Sequence, residues 1–198
     1  MMYHQSDMLA ITEGCPPPKE LPPEFHSRVR VHEIIDSEYP GYVYLLRSYL
    51  LTEDSDAGKY NAIQDDKRNM AWCCFENVNT TDEIHGPALT LYRGETELPC
   101  DEVPCVRCLP WPSLAADWPT RHRNYDWPDS ATVDLVVSNG CDVVRVAHRL
   151  CRQVEWMNMY QSRLSFSRAE IVLLNSWMPV QQIIYHKLCY ESSSRPSD

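Results

Sequence analysis

Alternating apolar and polar positions mark the first 110 residues as a β-rich segment. Apolar and polar residues alternate within 28–35, which is the period of a half-buried strand. A Pro-Gly turn at 40–41 separates this strand from an apolar run at 42–46. Further strands are predicted at 7–11, 88–92 and 101–108, with a turn at 93–96. The first of these has no folded element before it with which to pair.

Prolines and polar residues interrupt the predicted strands. Five prolines lie between residues 15 and 23, which excludes regular helix or central strand there and predicts a surface loop. The polar, acidic residues 52–58 predict a second loop. Residues 61–75 are predicted to form a helix.

Helix signals replace the alternation after Pro110. A predicted helix runs from 111 to about 125, with an interruption at Pro119. The next helix follows a cap at Asp129 or Ser130 and stops at the Asn-Gly pair 139–140.

The last part of the chain predicts two extended segments and two more helices. Residues 141–148 form a predicted strand, and the extended segment 163–167 leads directly into a helix. Ser167 to Glu170 match a capping box, in which Ser167 caps the helix and Glu170 is its third residue. Pro179 ends or kinks this helix, and 183–190 starts another. Residues 191–198 lack core-forming side chains and predict a disordered tail.

The charge distribution limits the classes of partner. The net charge is −10, and residues 1–110 hold 9 Lys/Arg against 19 Asp/Glu, whereas 111–198 hold 9 of each. Nonspecific nucleic-acid binding needs local positive charge. The basic candidates are Arg121, His122, Arg123, Arg145, His148, Arg149 and Arg152. A solvated basic face explains them more simply than a nucleic-acid groove.

Compartment signals favour a cytoplasmic or nuclear location. No run of 18 apolar residues is long enough to span a membrane, and the first residues lack the pattern of a signal peptide. The nine cysteines are odd in number and irregularly spaced, which favours free thiols over a disulfide framework.

The cysteines also leave a metal hypothesis open. Cys105 and Cys108 form a Cys-x-x-Cys pair, but a structural zinc site needs four ligands, and no second pair follows. In a strand the two side chains would point to opposite faces. A small zinc-stabilised interaction domain therefore remains an alternative.

Two carboxylates suggest phosphoryl-transfer chemistry. Nucleophile elbows, P-loops and dinucleotide-binding glycine motifs are absent from the sequence. Asp7 and Asp101 each lie in a predicted strand, and carboxylates on adjacent strands can hold two Mg²⁺ ions for phosphoryl transfer. The simpler interpretation is that both face water.

Several motifs in the second half occur together in a recognisable order. Asp-Glu-Val-Pro-Cys at 101–105 precedes Trp-Pro pairs at 111, 118 and 127, Gly-Cys-Asp-Val-Val at 140–144, and Arg-Leu-Ser-Phe-Ser-Arg-Ala-Glu at 163–170. This order resembles the male abnormal 21-like family, which includes cyclic GMP-AMP synthase and the cyclic GMP-AMP synthase-like receptors. The resemblance is clear over 99–190 and loose over 1–98.

The resemblance implies an α+β fold and a reaction. A partial nucleotidyltransferase core, a mixed β-sheet with flanking helices, is expected in 1–167, and the start of an all-helical lobe in 168–190. Active members of the family join ATP and GTP, or similar nucleotides, into a cyclic dinucleotide for innate immune signalling. Mg²⁺ or Mn²⁺ bound by acidic residues assists this reaction.

The resemblance also implies site residues. Asp7 is similar to the end of an acidic-x-Asp strand motif, and Asp101 is similar to a third carboxylate before Val-Pro, so both would be catalytic metal ligands. A double-stranded nucleic acid is a further partner suggested by the family.

Four residues are similar to the family's nucleotide contacts. Arg163, Ser165 and Ser167 resemble residues that contact base and phosphate, and Glu170 lies beside them. Ser167 and Glu170 are equally explained as a helix cap, and Arg163 and Ser165 share one strand face that could be merely solvated.

The departures from the family favour an inactive form. The Gly-Ser phosphate turn is not supplied by residues 2–5, and Gln5-Ser6 stand where an acidic residue would precede Asp7. A zinc-binding cluster of the kind used for DNA sensing does not follow Glu170. The sequence thus predicts a truncated, inactive cyclic GMP-AMP synthase-like protein. The alternative is a non-catalytic protein that binds a nucleotide or partner through Arg163.

Overall fold

The computed structural model describes residues 2–54, 58–64, 83–85, 88–91, 100–123, 126–148, 150 and 160–193. Its strands are β1 Met2–Thr12, β2 Arg28–Asp36, β3 Tyr42–Asp54, β4 Lys59–Gln64, β5 Glu83–His85, β6 Ala88–Leu91, β7 Cys100–Cys108, β8 Cys141–Val144 and β9 Gln161–Ser165. Its α-helices are α1 Ser130–Asn139, α2 Ser167–Asn175 and α3 Pro179–Ser193. The α+β class predicted from the sequence is confirmed.

The pairing of β1 closes six strands into a ring. β1 lies parallel to both β2 and β7. Antiparallel pairs then link β2 to β3, β3 to β9, β9 to β8 and β8 to β7. β4 extends β3, and β6 and β5 extend β7. The start of the chain therefore pairs with strands that follow it in sequence.

Two apolar clusters pack on opposite faces of β1. The first, here named the ring core, takes buried residues from every strand of the ring: Met8, Ala10, Ile34, Val43, Leu45, Val106, Cys108, Cys141, Val143 and Leu164. The second joins Leu9, Ile11 and Val31 to Phe25 and Tyr60. Because β1 is buried on both faces, its sequence at 8–11 is continuously apolar rather than alternating.

Helix α2 lies between β8 and α1. α1 packs against α2, and α2 packs against β8. Asp129 caps α1, since its side chain accepts a hydrogen bond of 2.7 Å from the Thr132 backbone N–H. The ring of Trp127 contacts that of Trp177, which in turn meets the ring of Tyr185 on α3. None of the helices in the described ranges combines the length and apolar content needed to cross a bilayer.

Three predicted segments differ in extent or type from the elements that the structure describes. The helix predicted over 61–75 is wrong at its start, because residues 61–64 pair with β3 as part of β4. β3 itself continues through residue 54, into the predicted loop 52–58. Residues 65–75 and the predicted turn 93–96 lie outside the described residues. The strand predicted over 141–148 ends at Val144.

The helix predicted from 111 to about 125 is also wrong. Two single 3-10 turns, Ser113–Ala115 and Trp118–Thr120, replace it. Proline at 119 has no N–H to donate within a longer helix. Trp111 instead fixes the first turn, because its indole Nε1 donates to the carbonyl of Ala115 at 2.7 Å.

The capping box at Ser167 is not formed. The cap position of α2 is Phe166, which offers no side-chain hydrogen bond, and the backbone N–H of Glu170 donates to the Phe166 carbonyl at 3.0 Å. The helix therefore begins at Ser167 rather than after it. Near the end of the sequence, α3 runs through Ser193, so the first residues of the predicted tail are helical. Residues 194–198 lie outside the described part.

Candidate functional site

Strand β9 and the start of α2 form the polar face predicted from the sequence. Leu164 joins the ring core, so Arg163 and Ser165 lie on the opposite face of β9 by alternation. Arg163 is exposed, and its guanidinium has no partner among the residues that the structure describes. The hydroxyl of Ser165 lies 3.2 Å from that of Ser167. Arg163, Ser165 and Ser167 are called the Arg163 face below.

A buried ion-pair network lies beside the Arg163 face. Strand register places Arg107, Asp142 and Ser165 in one row across β7, β8 and β9. Asp142 is fully buried, and its two carboxylate oxygens accept from Arg168 Nε at 2.9 and 3.1 Å. Nη1 of Arg107 lies 3.8 Å from the same carboxylate. This network ties the first turn of α2 to the centre of the sheet.

Within the network the Asp142 carboxylate faces two guanidiniums, and the charge of Glu24 also acts on Arg107. Burial, followed by the charge of Arg168, lowers the pKa of Arg107, whereas the charge of Asp142 opposes this effect. Arginine nevertheless stays protonated at neutral pH. The sequence analysis missed all three residues. A charged residue in the otherwise apolar strand Cys141–Val144 was the available signal.

The structure does not bring Asp7 and Asp101 together. On β7, Val103 pairs with Met2, Cys105 with His4 and Arg107 with Leu9. Asp7 thus lies level with residues 105–107, roughly 13–20 Å along the strand from Asp101 at about 3.3 Å per residue. The metal ions of a two-metal site lie about 3.5–4 Å apart and share ligands.

Asp7 is also occupied by another partner. Its carboxylate forms an ion pair with Arg30 of β2, and both side chains are partly exposed. Asp101 is exposed on the same face of β7 as Arg107, since the two residues are six apart on one strand. Their assignment as metal ligands stays a prediction, and the geometry offers no common site for them.

Glu170 lines a pocket that the sequence analysis did not foresee. The pocket has a volume of about 350 Å³, and its walls include Trp111, Trp118 and Phe166. The rings of Trp111 and Phe166 are 5.4 Å apart, and those of Trp111 and Trp118 are 5.5 Å apart. The Trp-Pro motifs at 111 and 118 therefore serve packing around this pocket.

The cysteine pair does not assemble a metal site. Cys108 joins the ring core, so Cys105 lies on the other face of β7. Cys108 pairs instead with Cys141 across the sheet, and contact between the two thiols, together with burial, raises the pKa of Cys141. Across the described ranges, no three His, Cys, Asp or Glu side chains come close enough to bind a metal ion.

The basic residues near 121 are engaged within the chain. Arg121 Nε donates to Asp117 at 2.8 Å. Arg123 lies over the Trp118 ring, 4.9 Å from its centre, and donates to the Trp118 carbonyl at 2.8 Å. These contacts favour a local structural role over a nucleic-acid groove. Arg149 and Arg152 lie outside the described residues.

His32 makes the stability of the fold depend on pH. It is 1% exposed, and burial, reinforced by Arg30 and then Arg47, lowers its pKa to about 4, although the Leu9 carbonyl and Asp7 oppose the shift. The unfolded chain, with a histidine pKa of about 6.5, takes up this proton first as the pH falls. We expect the free energy of unfolding to drop by roughly 3 kcal/mol between about pH 7 and pH 4 through this residue.

Urea unfolding at several pH values measures this effect. The variant His32→Gln removes the titrating group and should flatten the slope of stability against pH between pH 7 and 4. The matched control is His122→Gln, at an exposed histidine, which should keep the native slope. An equally steep slope in His32→Gln would assign the pH dependence to other groups.

Comparison with known families identifies the family of this domain. The model of the Mab-21 protein nucleotidyltransferase domain matches residues 57–176, which is more than half of the chain. The match includes β7, α1, β8, β9 and α2, and hence both the Arg163 face and the buried ion-pair network. No curated protein matches the chain.

Proposed function

Because the chain belongs to the Mab-21 nucleotidyltransferase domain family, we propose that it is a cyclic GMP-AMP synthase-like protein that binds a nucleotide without catalysing its transfer. The Arg163 face is the observation that carries the proposal. It presents two adjacent hydroxyls and a guanidinium that has no partner among the described residues, at the junction of β9 and α2. These groups are donors suited to the phosphate oxygens and purine edges of ATP or GTP.

The metal that the family implies does not fit the residues present. Mg²⁺ prefers several oxygen ligands at about 2.1 Å in octahedral geometry. Asp7 is paired with Arg30, and its register separates it from Asp101 by several residues of β7. Phosphoryl transfer depends mostly on positioning and on charge neutralisation by the metal. This geometry supports the absence of catalysis in the proposal.

Nucleotide binding by the Arg163 face predicts a thermal shift. At ten times its dissociation constant, ATP or GTP should stabilise the native chain by about 1.4 kcal/mol, or roughly 3–5 °C in Tm. Arg163→Ala should lose most of this shift, because a charge-assisted hydrogen bond to phosphate is removed. The unliganded variant should melt like the native chain, since Arg163 is exposed.

The control for this measurement is Arg28→Ala, which removes an exposed arginine at the start of β2. It should keep the full nucleotide shift. If native protein shows no shift with either nucleotide at millimolar concentration, or if both variants lose it equally, the Arg163 face is not a nucleotide site.

The absence of catalysis is tested separately. Native protein is incubated with ATP, GTP and Mg²⁺ or Mn²⁺, and the products are separated by chromatography. We expect no cyclic dinucleotide. Formation of a cyclic dinucleotide that Asp101→Asn abolishes would overturn this part of the proposal while leaving nucleotide binding intact.

A further inference from the structure

Among the described residues, Arg168 is held through Nε alone. Its Nε donates to both carboxylate oxygens of Asp142, at 2.9 and 3.1 Å. Neither terminal nitrogen has a hydrogen-bond partner in the described part of the chain. The Arg168 side chain is 36% exposed, whereas the Asp142 side chain is 0% exposed. A buried anchor therefore presents a guanidinium end to solvent.

The neighbours of this guanidinium are also donors. Ser165 is the register partner of Asp142 on the adjacent strand, so the two side chains lie side by side on one face of the sheet. The Ser165 hydroxyl is 3.2 Å from that of Ser167, which precedes Arg168 in the chain. Two hydroxyls and one guanidinium end thus share a small area.

The local charge favours an anion. Asp142 is shared between two guanidiniums, those of Arg107 and Arg168, and the charge of Glu24 also acts on Arg107. Arg163 adds a further positive charge on the same face of β9. This grouping of positive charges is local, because the chain as a whole carries a net charge of −10. An anion that reaches these donors replaces solvent with charge-assisted hydrogen bonds.

We propose that Asp142 positions Arg168 so that its terminal nitrogens, together with Ser165 and Ser167, bind a phosphate group. Asp142 is the positioning residue, and Arg168 is the group that contacts the anion. A planar guanidinium can contact a carboxylate and a phosphate at the same time, because its Nε–H and its terminal N–H groups point in different directions. The identity of the ligand rests on the proposed function, in which the phosphate group belongs to ATP or GTP.

The test measures the affinity of native chain and variants for three probes: inorganic pyrophosphate, ATP and adenosine. Isothermal titration calorimetry gives each dissociation constant. Pyrophosphate and ATP should bind to the native chain. Arg168→Gln should lower the affinity for both by about tenfold or more, which is the loss expected for charged hydrogen bonds. The weak binding of adenosine, which has no phosphate, should not change.

The variant Arg168→Lys separates positioning from charge. Lysine keeps the positive charge, but its single nitrogen cannot hold Asp142 and a phosphate in the same geometry. It should therefore lose affinity nearly as much as Arg168→Gln. Native-like pyrophosphate binding in Arg168→Lys would overturn the proposed role of Asp142.

Two further variants keep the result interpretable. Ser167→Ala leaves the pair of Asp142 and Arg168 intact. It should still lower the affinity for pyrophosphate several-fold, because it removes one neutral hydrogen-bond donor. Arg121→Lys is the matched control, since Arg121 is also bonded through Nε to a carboxylate, that of Asp117. It should bind pyrophosphate like the native chain, and an equal loss there would contradict the assignment.

Failure of this inference and of the proposed function can be told apart. If ATP binding depends on Arg163 but not on Arg168, the nucleotide site stands and the phosphate assignment falls. If pyrophosphate binding depends on Arg168 while ATP binds no better than pyrophosphate and ignores Arg163, the site takes free phosphate and the nucleotide proposal falls. If neither probe binds the native chain, both are wrong.

Discussion

Replacing Gly140 with alanine is expected to lower the free energy of unfolding by about 4 kcal/mol. Gly140 follows α1 with φ of +62° and ψ of −146°, a region that only glycine adopts readily. A Cβ there would lie 2.5 Å from the carbonyl oxygen of Leu109 and 2.9 Å from its carbon, and would collide with the Cys108 oxygen. All three atoms are backbone, so no side chain can move aside.

The structural consequence reaches the candidate site. Gly140 directs the chain from α1 into β8, where Cys141 and Asp142 pair with Cys108 and Arg107. A shift that relieves the collision would separate β8 from β7 and weaken the buried ion-pair network. Gly140→Ala should therefore also lose pyrophosphate binding.

The matched control is Gly14→Ala. Gly14 also has a positive φ, +75°, but no atom lies within 4 Å of an added Cβ. This variant should cost only the backbone strain, about 1–2 kcal/mol. Urea unfolding monitored by circular dichroism measures both variants. Equal losses of stability would mean that the close approach of Leu109 to Gly140 does not matter for the fold.

Much of the sheet could be predicted from the local pattern. Alternation located β2, the prolines located the loop at 15–23, and the period of two placed Arg163 and Ser165 on one face. The extent of β1 could not be predicted, because its partners β2 and β7 follow it by tens of residues and its pairing shifts register between His4 and Leu9. Pairing of this kind is fixed by tertiary structure rather than by local sequence.

Local motifs misled where tertiary contacts decided the outcome. The Ser-x-x-Glu spacing at 167–170 matches a capping box, but Ser167 bonds to Ser165 across the strand-to-helix junction, and the helix starts one residue earlier. Residues 61–64 have a helix-like sequence, yet they form a strand because they pair with the edge of β3. In both cases a nearby partner competes with the local preference.

The buried ion-pair network could not be predicted from the local sequence for a different reason. Arg107, Asp142 and Arg168 come from β7, β8 and α2, separated by 26 or more residues. Nothing in the sequence around any one of them specifies the other two. The order of the strands and the register of β7 with β8 must both be known before Asp142 can be seen to lie between two arginines.

Replacing Asp142 with asparagine is expected to lower the free energy of unfolding by about 3 kcal/mol. The substitution keeps the shape of the side chain but removes the charge that two guanidiniums contact. Arg107 is 6% exposed and would lose the buried carboxylate that lies 3.8 Å from it. Arg168 is partly exposed and can turn toward water. The expected loss of stability is therefore at the lower end of the range for a broken buried ion pair.

A double-mutant cycle with Arg168→Gln identifies the source of this loss. Because Asp142 also supports Arg107, the double variant should recover only part of the stability that Asp142→Asn loses, with a coupling of about 1 kcal/mol between Asp142 and Arg168. The matched control is Asp117→Asn, which breaks the exposed pair with Arg121 and should leave the urea midpoint unchanged. An Asp142→Asn midpoint as high as that of Asp117→Asn would show that the buried carboxylate does not hold β7, β8 and α2 together, and the anchoring of Arg168 would then need another cause.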